Sequence, residues 1–271
     1  MSIRTIEDVQ EAVRATKRFR PVGLRTKTSF LPDSGGEELS LAELTGIVEF
    51  EPADQVVVVL AGTPIAELQE ALKEHDLCLP LLSPNEFPAS VAGFPGTVGG
   101  LLAMNLPHGL QAQAGGPREW TLGLQVVRSA GTVAKCGSKV VKSVAGYDVH
   151  KLFVGSRGEL GVIVSATLRA LPIGALPLDS VDLLDDSHEP CYIQRTLRSE
   201  FDDAVQTAER IQAIDRASCT IWCDDEPSKT AEGWVIGPRG YRRRTPQPSY
   251  MEARAKELFN PDGKFVPGWA E

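Results

Sequence analysis

KSVAGYDVHKLFVGSRGELGVI, residues 142–163, is the stretch whose reading decides the fold. Its end holds Gly155, Gly158 and Gly161 at three-residue spacing, where backbone must come close to something that side chains would exclude. Residues 147–154 read as a short helix ahead of these glycines. After them GVIVSATLRAL (161–171) alternates as a strand until Pro172 ends it. Upstream, AGFPGTVGGLLAMNLPHG (92–109) places Gly93, Gly96, Gly99 and Gly100 at the start of an apolar segment that can be helical. Taken alone, such a turn serves either as a phosphate cradle of backbone N–H groups or as a close-packed corner with no ligand. The two clusters dominate the composition: 14 of the 25 glycines fall between Gly93 and Gly161.

Around these clusters the pattern is mixed. Thr5 with Asp8 resembles a capping box, and Ile6, Val9, Ala12 and Val13 give a helix over residues 6–18. Two short strands follow at 46–51 and 55–60 across the turn Glu51-Pro52-Ala53-Asp54. Thr63 is read as the cap of a helix with Pro64 at its first position and Ile65, Leu68 and Leu72 on one face. Beyond Thr121, alternation at Leu122, Leu124 and Val126, the turn Ser129-Ala130-Gly131 and a return over 132–136 give a hairpin. Pro172 marks the main boundary. From it onward come 9 of the 19 prolines, an acidic patch at 182–189, a helix near 201–213 and a loop-rich stretch, too thin for an independent well-packed domain. The chain then closes with a helix over 249–259 and NPDGKFVPGW. The expected division is 1–171, 172–248 and 249–271, in an α+β architecture.

Composition narrows the function. Among 271 residues, 28 basic and 36 acidic side chains leave a net charge of −8, which disfavours a chain-wide nucleic-acid binder. The longest apolar run, 56–62, is far short of the roughly 20 residues a spanning helix needs. The N-terminal stretch has no signal-peptide core, so a cytoplasmic protein with reduced thiols is expected from its five scattered cysteines. Neither a P-loop nor a Gly-x-Gly-x-x-Gly strand-to-helix fingerprint is present. His188, Cys191, Cys219 and Cys223 are types zinc accepts, but a strand through 219–223 would hold its two sulfurs about 13 Å apart, and no metal site is expected. His75, His108 and His150 have no convincing nucleophile nearby and read as structural or surface groups. Arg239, Arg242, Arg243 and Arg244 read as a solvated loop, with an acidic partner as the alternative.

LAELTGIVEFEPADQVVVVLAGTPIAELQEAL (41–72), FPGTVGGLLAMN (94–105), the 142–163 stretch and ELFNPDGKFVPG (257–268) together resemble a family: the FAD-binding domain of the vanillyl-alcohol oxidase and p-cresol methylhydroxylase (PCMH) type. The accessory FAD-binding subunits of bacterial glycolate oxidases are especially similar. The resemblance runs through residues 5–171 and the last 25 or so. The region between is unlike the family's substrate domain, which implies a shortened cap.

What the resemblance implies is a two-lobed PCMH-type domain holding FAD non-covalently between its lobes. By that analogy Gly96, Thr97, Gly99 and Gly100 line the pyrophosphate and flavin, and Asn105 stands near the ring. Gly155, Gly158, Gly161 and Val162 present backbone to the adenosine half, and Asp148 orders the start of the short helix. The first phosphate loop, PVGLRTKTS (21–29), keeps Gly23, Thr26 and Lys27 but has Leu24 and Arg25 where the family has glycines. There bulk crowds the phosphates, or Arg25 contacts them with its charge. The implied activity is oxidation of a small 2-hydroxy acid such as glycolate, in a complex with a larger FAD-containing catalytic subunit and an iron–sulfur subunit. No catalytic base is assigned. The alternative is a non-catalytic assembly subunit with a degenerate FAD fold.

Overall fold

The computed structural model describes residues 2–27, 36–81, 96–138, 148–176, 181–183, 192–216, 218–227, 233–237, 240–243 and 250–265. Helix α1 (Ile6–Ala15) begins at the capping box read in the sequence: Asp8 N donates to Thr5 Oγ1 at 3.1 Å, and Thr5 N donates to Asp8 Oδ2 at 2.9 Å. Strands β1 (Phe19–Val22) and β2 (Glu37–Ser40) then pair in parallel. Next come β3 (Ile47–Glu51), β4 (Val56–Leu60), α2 (Ile65–Lys73) and the short β5 (Leu77–Cys78). Helix α3 (Val98–Met104) leads through the single turns α4 (Gln111–Ala114) and α5 (Pro117–Trp120) into the hairpin β6 (Thr121–Val127) and β7 (Val133–Gly137). The single turn α6 (His150–Phe153) precedes β8 (Val162–Arg169) and the short β9 (Leu171–Pro172), which pairs with β5.

Five of these strands form one antiparallel sheet in the order β3-β4-β8-β6-β7. Both of its faces are buried. One carries Val57, Val59, Leu124, Val126, Ile163 and Leu168 against Leu68 and Leu72 of α2 and Leu101 and Leu102 of α3. The other carries Val127, Val162 and Val164 against Val9 and Val13 of α1 and Phe19 of β1. Strict alternation would put Ile163 opposite both Ala166 and Leu168. The β6–β8 register slips between Gln125 and Val126, leaving Val164 as an extra residue on β8, so all three reach the same core. One irregularity therefore serves both layers at the strand start that faces the cleft described below.

Two expectations of the sequence reading are corrected. Thr63 does not cap α2: its side chain is fully buried, its Oγ1 accepts from Gly46 N at 2.9 Å, and Pro64 takes the cap position without a side-chain bond. Tertiary hydrogen bonding has claimed the hydroxyl that local pattern assigned to the helix. Likewise the expected helix at 201–213 is only α7 (Phe201–Thr207). Arg210 adopts φ 46°, and β12 (Ile211–Asp215) pairs with β13 (Thr220–Cys223). Around them β10 (Val181–Leu183), β11 (Tyr192–Thr196), β14 (Gly233–Gly237) and β15 (Gly240–Arg243) complete a six-stranded antiparallel sheet, ordered β10-β12-β13-β11-β14-β15. Phe201 and Ala204 of α7 pack on Ile214, Ile221 and Cys223. The region read as thin and loop-rich thus has a sheet and a core of its own. His188, Cys191, Arg239 and Arg244 lie outside the described residues.

The 250–265 segment returns to the elements that open the chain. Helix α8 (Tyr250–Phe259) puts Phe259 edge-on to Phe153, with ring centroids 5.4 Å apart, and Phe265 meets Phe19 in the same way at 5.3 Å. Lys264 Nζ donates to Val13 O and Ser129 O, tying the last segment to α1 and to the β6–β7 turn. Among the described residues, no helix is long and apolar enough to cross a membrane.

The tightest joint predicts a stability outcome. A Cβ at Gly62 would sit 2.0 Å from Leu41 O and 2.7 Å from Leu44 O, both backbone atoms that cannot rotate away. Gly62→Ala should cost about 3 kcal/mol in urea denaturation. Gly174→Ala, which meets nothing within 4 Å, should stay within about 0.5 kcal/mol of the parent.

Candidate functional site

Three segments converge on one cleft, partly open to solvent. The first is 21–27, leaving β1. The second is the opening of α3 with Ala61 beneath it, and the third is the 157–163 turn into β8. Of the residues singled out in the sequence, Gly23, Thr26, Lys27, Thr97, Gly99, Gly100, Gly158 and Gly161 line it. The other five lie behind or away from it. Gly96, at φ +139°, packs against Thr26 and Lys27, where an added Cβ would stand 2.5 Å from Thr26 Oγ1 and 2.8 Å from Lys27 Nζ. Asn105 is the left-handed end of α3, next to Gly155, and its buried Oδ1 has no hydrogen-bond partner. Gly155 hydrogen-bonds to Leu102 O, and Val162 is wholly buried in the α1-side core. Asp148 is exposed and pairs with Lys151 at 2.8 Å. It does not cap α6, whose cap position is Val149.

The opening of α3 departs from the cradle expected of free N–H groups. Val98 N donates to Thr63 O at 3.0 Å, Gly99 N to Ala61 O at 2.8 Å, and Gly100 N to Thr97 Oγ1 at 3.2 Å. These donors are used up in joining α3 to β4 and to its own cap. Gly99 is a packing glycine, because its Cβ would lie 2.9 Å from Ala61 Cβ. Gly100 is different: Thr97 Oγ1, at 3.3 Å, is all that its Cβ would meet, so this glycine leaves open room in the cleft wall.

Charge supplies what those amides do not. Lys27 lines the cleft while only 6% exposed, and burial pushes its amine down to about 7. A group in that state gains from any anion able to share its desolvated site. Arg157 also lines the cleft; it holds φ 56°, and its N–H donates to Ala103 O at 2.8 Å. Arg25 keeps the left-handed backbone, at φ 57°, that a glycine would adopt freely. Its guanidinium runs to Glu38 at 2.7 Å, and that contact, joined by Arg20, holds the Glu38 carboxyl below the usual carboxylate range. Leu24 is 48% exposed, so its bulk is spent largely on solvent. Thus the two departures in the first loop neither fill the cleft nor aim Arg25's charge wholly into it.

Sequence reasoning missed Arg157 and the apolar floor of Ala61, Ala103, Met104 and Ile163. Arg157 was legible in principle as the charged member of a Gly-x-x-Gly turn; the floor was not, since its residues come from three separate segments. Elsewhere, His75 stacks edge-on with Phe50, and His150, the first residue of α6, is buried. Among the described residues no three His, Cys, Asp or Glu side chains gather as metal ligands.

The family described as FAD binding domain matches residues 1–137, half of the chain. The chain belongs to the FAD binding domain family. FAD is its cofactor, and its fold is the α+β one of the PCMH-type FAD-binding domain. The chain is 30% identical over 167 residues to glycolate oxidase subunit GlcE of Escherichia coli, covering 62% of this chain and 46% of that one. It is 33% identical over 171 residues to D-2-hydroxyglutarate dehydrogenase of Xanthomonas citri pv. viticola, 61% of this chain and 35% of that one. Over 197 residues it is 29% identical to glycolate oxidase subunit GlcD of Bacillus subtilis, 73% of this chain and 37% of that one. It therefore spans less than half the length of these relatives. The cleft suits a dinucleotide: Gly100 leaves open room in its wall, and the described lining residues include cations and no acid.

One group beyond the cleft sets a pH dependence. His108 follows α3, is fully buried with both ring nitrogens unpartnered, and burial pushes its imidazole down to about 4. Above pH 6.5 it is neutral in both folded and unfolded states and costs nothing by linkage. As pH falls from 6.5 to 4 the unfolded chain takes up a proton that the folded one refuses, so stability drops by about 3 kcal/mol across that window. His108→Leu should remove this part of the acid loss in urea titrations at pH 7, 5.5 and 4, without loss at pH 7.

Proposed function

We propose that this chain is the FAD-binding subunit of a glycolate oxidase-like complex that oxidises a small 2-hydroxy acid. The observation that carries the reading is the glycine-walled, cation-lined cleft in a chain whose relatives include glycolate oxidase subunits and 2-hydroxy acid dehydrogenases. In this reading residues 1–171 form the FAD domain and 172–248 a reduced cap. Residues 249–271 are the tail that packs back, in a cytoplasmic protein.

Bound FAD would supply the acceptor for the hydride of the substrate's C–H bond. The protein's share is position and charge. Lys27 and Arg157 would hold the pyrophosphate, with Thr26 and Gly96 fixing the lysine from behind. Gly100 and Gly158 would leave room for the phosphates and adenosine, and Ala61, Met104 and Ile163 give an apolar floor. Asn105, with an unpartnered buried oxygen, would stand near the ring, and Gly155 packs beside it. Asp148 and Val162 act at most through the backbone they order. No lining residue among those described is a His, Cys or Tyr, which supports a non-covalent cofactor.

A second reading, an assembly subunit with a degenerate site, draws on two features. The Val98–Gly100 amides are already used, and Arg25 is committed to Glu38. The visible spectrum of the purified, desalted chain separates the two: bound flavin is yellow, and acid precipitation should release that colour to the supernatant. Gly100→Glu should abolish flavin binding while leaving the fold intact, because the new carboxylate enters the open wall beside the phosphates. Flavin titrations should also show affinity flat below pH 7 and weakening above it, as the buried lysine loses the proton the pyrophosphate needs. Lys27→Met should weaken binding at pH 6 and erase that slope.

The activity itself should require partners. Dye-coupled oxidation of glycolate or lactate by the isolated chain is expected to be negligible, and to appear when a larger FAD-containing subunit and an iron–sulfur subunit are added. Robust turnover by the chain alone would sink the accessory reading.

A further inference from the structure

Helix α8 reaches the back of the cleft wall at two points. Lys256 Nζ lies 2.5 Å from Glu159 Oε2, the lysine half exposed and the glutamate side chain only 4% exposed. Glu159 follows Gly158 directly and stands two residues from both Arg157 and Gly161, all of which line the cleft. Its other oxygen, Oε1, is buried without a partner, so Lys256 is the ion-pair partner described for a charge that water does not reach. Beside this pair, Phe259 meets Phe153, and an added Cβ at Gly161 would approach that same Phe153 ring at 3.2 Å. Neither Lys256 nor Phe259 lines the cleft.

We propose that Lys256 is a positioning residue for the cofactor: it neutralises the buried Glu159 carboxylate in the turn that walls the cleft, so that this turn offers Arg157 and Gly158 to a pyrophosphate without a competing buried anion. The proposal rests on the cleft being the FAD site. Without Lys256 a buried carboxylate remains a few residues from a dianionic ligand. At a separation of about 10 Å and an effective dielectric of about 20, one unit of repulsion changes affinity on the order of tenfold. This produces a sign asymmetry. Removing the lysine leaves the anion and weakens FAD binding. Removing the carboxylate's charge takes away the repelling group and does not weaken it. A pair that merely braced the turn would weaken binding from either side.

The test uses the full chain freed of flavin, with FAD affinity read by quenching of flavin fluorescence and thermal unfolding of the apo form read alongside. Lys256→Met should raise the FAD dissociation constant about tenfold, and Lys256→Arg should return it to within about threefold of the parent. Glu159→Gln should leave it within threefold or tighten it, and Glu159→Gln with Lys256→Met should stay near the parent. If Lys256→Met does not fold, the double variant carries the test: parent-like affinity supports the proposal, and a tenfold loss overturns it. Unchanged affinity in Lys256→Met, or equal weakening by Glu159→Gln, overturns it as well. Gly100→Glu distinguishes the two levels. Unchanged FAD binding in that variant sinks the cleft assignment itself, whereas its loss together with an unaffected Lys256→Met sinks only the role of the lysine.

Discussion

The hydrogen bond from Gly99 N to Ala61 O, at 2.8 Å, is the joint on which the architecture turns. It requires α3 to approach the end of β4 so closely that no Cβ fits at Gly99, and Gly62 is pressed in the same way against Leu41 O and Leu44 O. Val98 N reaching Thr63 O completes the seam. Because α3 is held at its first turn, its buried face meets the five-stranded sheet, and Gly100, one residue on, faces the cleft with nothing but its own cap nearby. Two adjacent glycines therefore have different reasons to be glycine. Gly99 is needed for packing, and Gly100 for the space it leaves.

Most of the main lobe was legible because its signals are local. The capping box at Thr5 and Asp8, the alternation across 121–127 and the run 162–169 each depend on spacing within a few residues. Where reading failed, long-range pairing had overridden local pattern. Thr63 carries a hydroxyl at a good cap position, yet Gly46, seventeen residues away, takes it. Residues 208–213 continue a helical spacing, yet 211–215 are held as a strand by 220–223. Within the cleft, the glycines and Lys27 were legible from the sequence. The burial of Lys27 and the commitment of Arg25 to Glu38 were not, since each depends on which side of a turn the side chain leaves.

The net charge of the chain and the charge of its cleft have opposite signs. A chain with eight excess acidic groups holds a depression whose described lining includes Arg25, Lys27 and Arg157 and no carboxylate. General repulsion of anions at the surface is compatible with selective capture inside, because desolvation makes a short-range cation count for more there than many screened acids farther off. Burial lowers the Lys27 amine to about 7, so an anion binding beside it would favour its protonated form. Coupling of this kind makes ligand occupancy and fold stability rise together.

The two ends of the chain are drawn into the same arrangement. Phe265 fills the space beside Phe19 at the root of β1, and β1 leads directly into the 21–27 segment of the cleft. Phe259 and Lys256 press on Phe153 and Glu159, which support the opposite wall. The last described segment thus backs both walls of the cleft without entering it, one through an aromatic pair and the other through an aromatic pair plus a buried charge. Neither wall is closed by local contacts alone, since 21–27 and 157–163 are separated by more than a hundred residues. Each wall therefore leans on contacts with the 250–265 segment, Phe265 behind one and Lys256 and Phe259 behind the other, so the shape of the cleft is a property of the whole lobe and not of its loops.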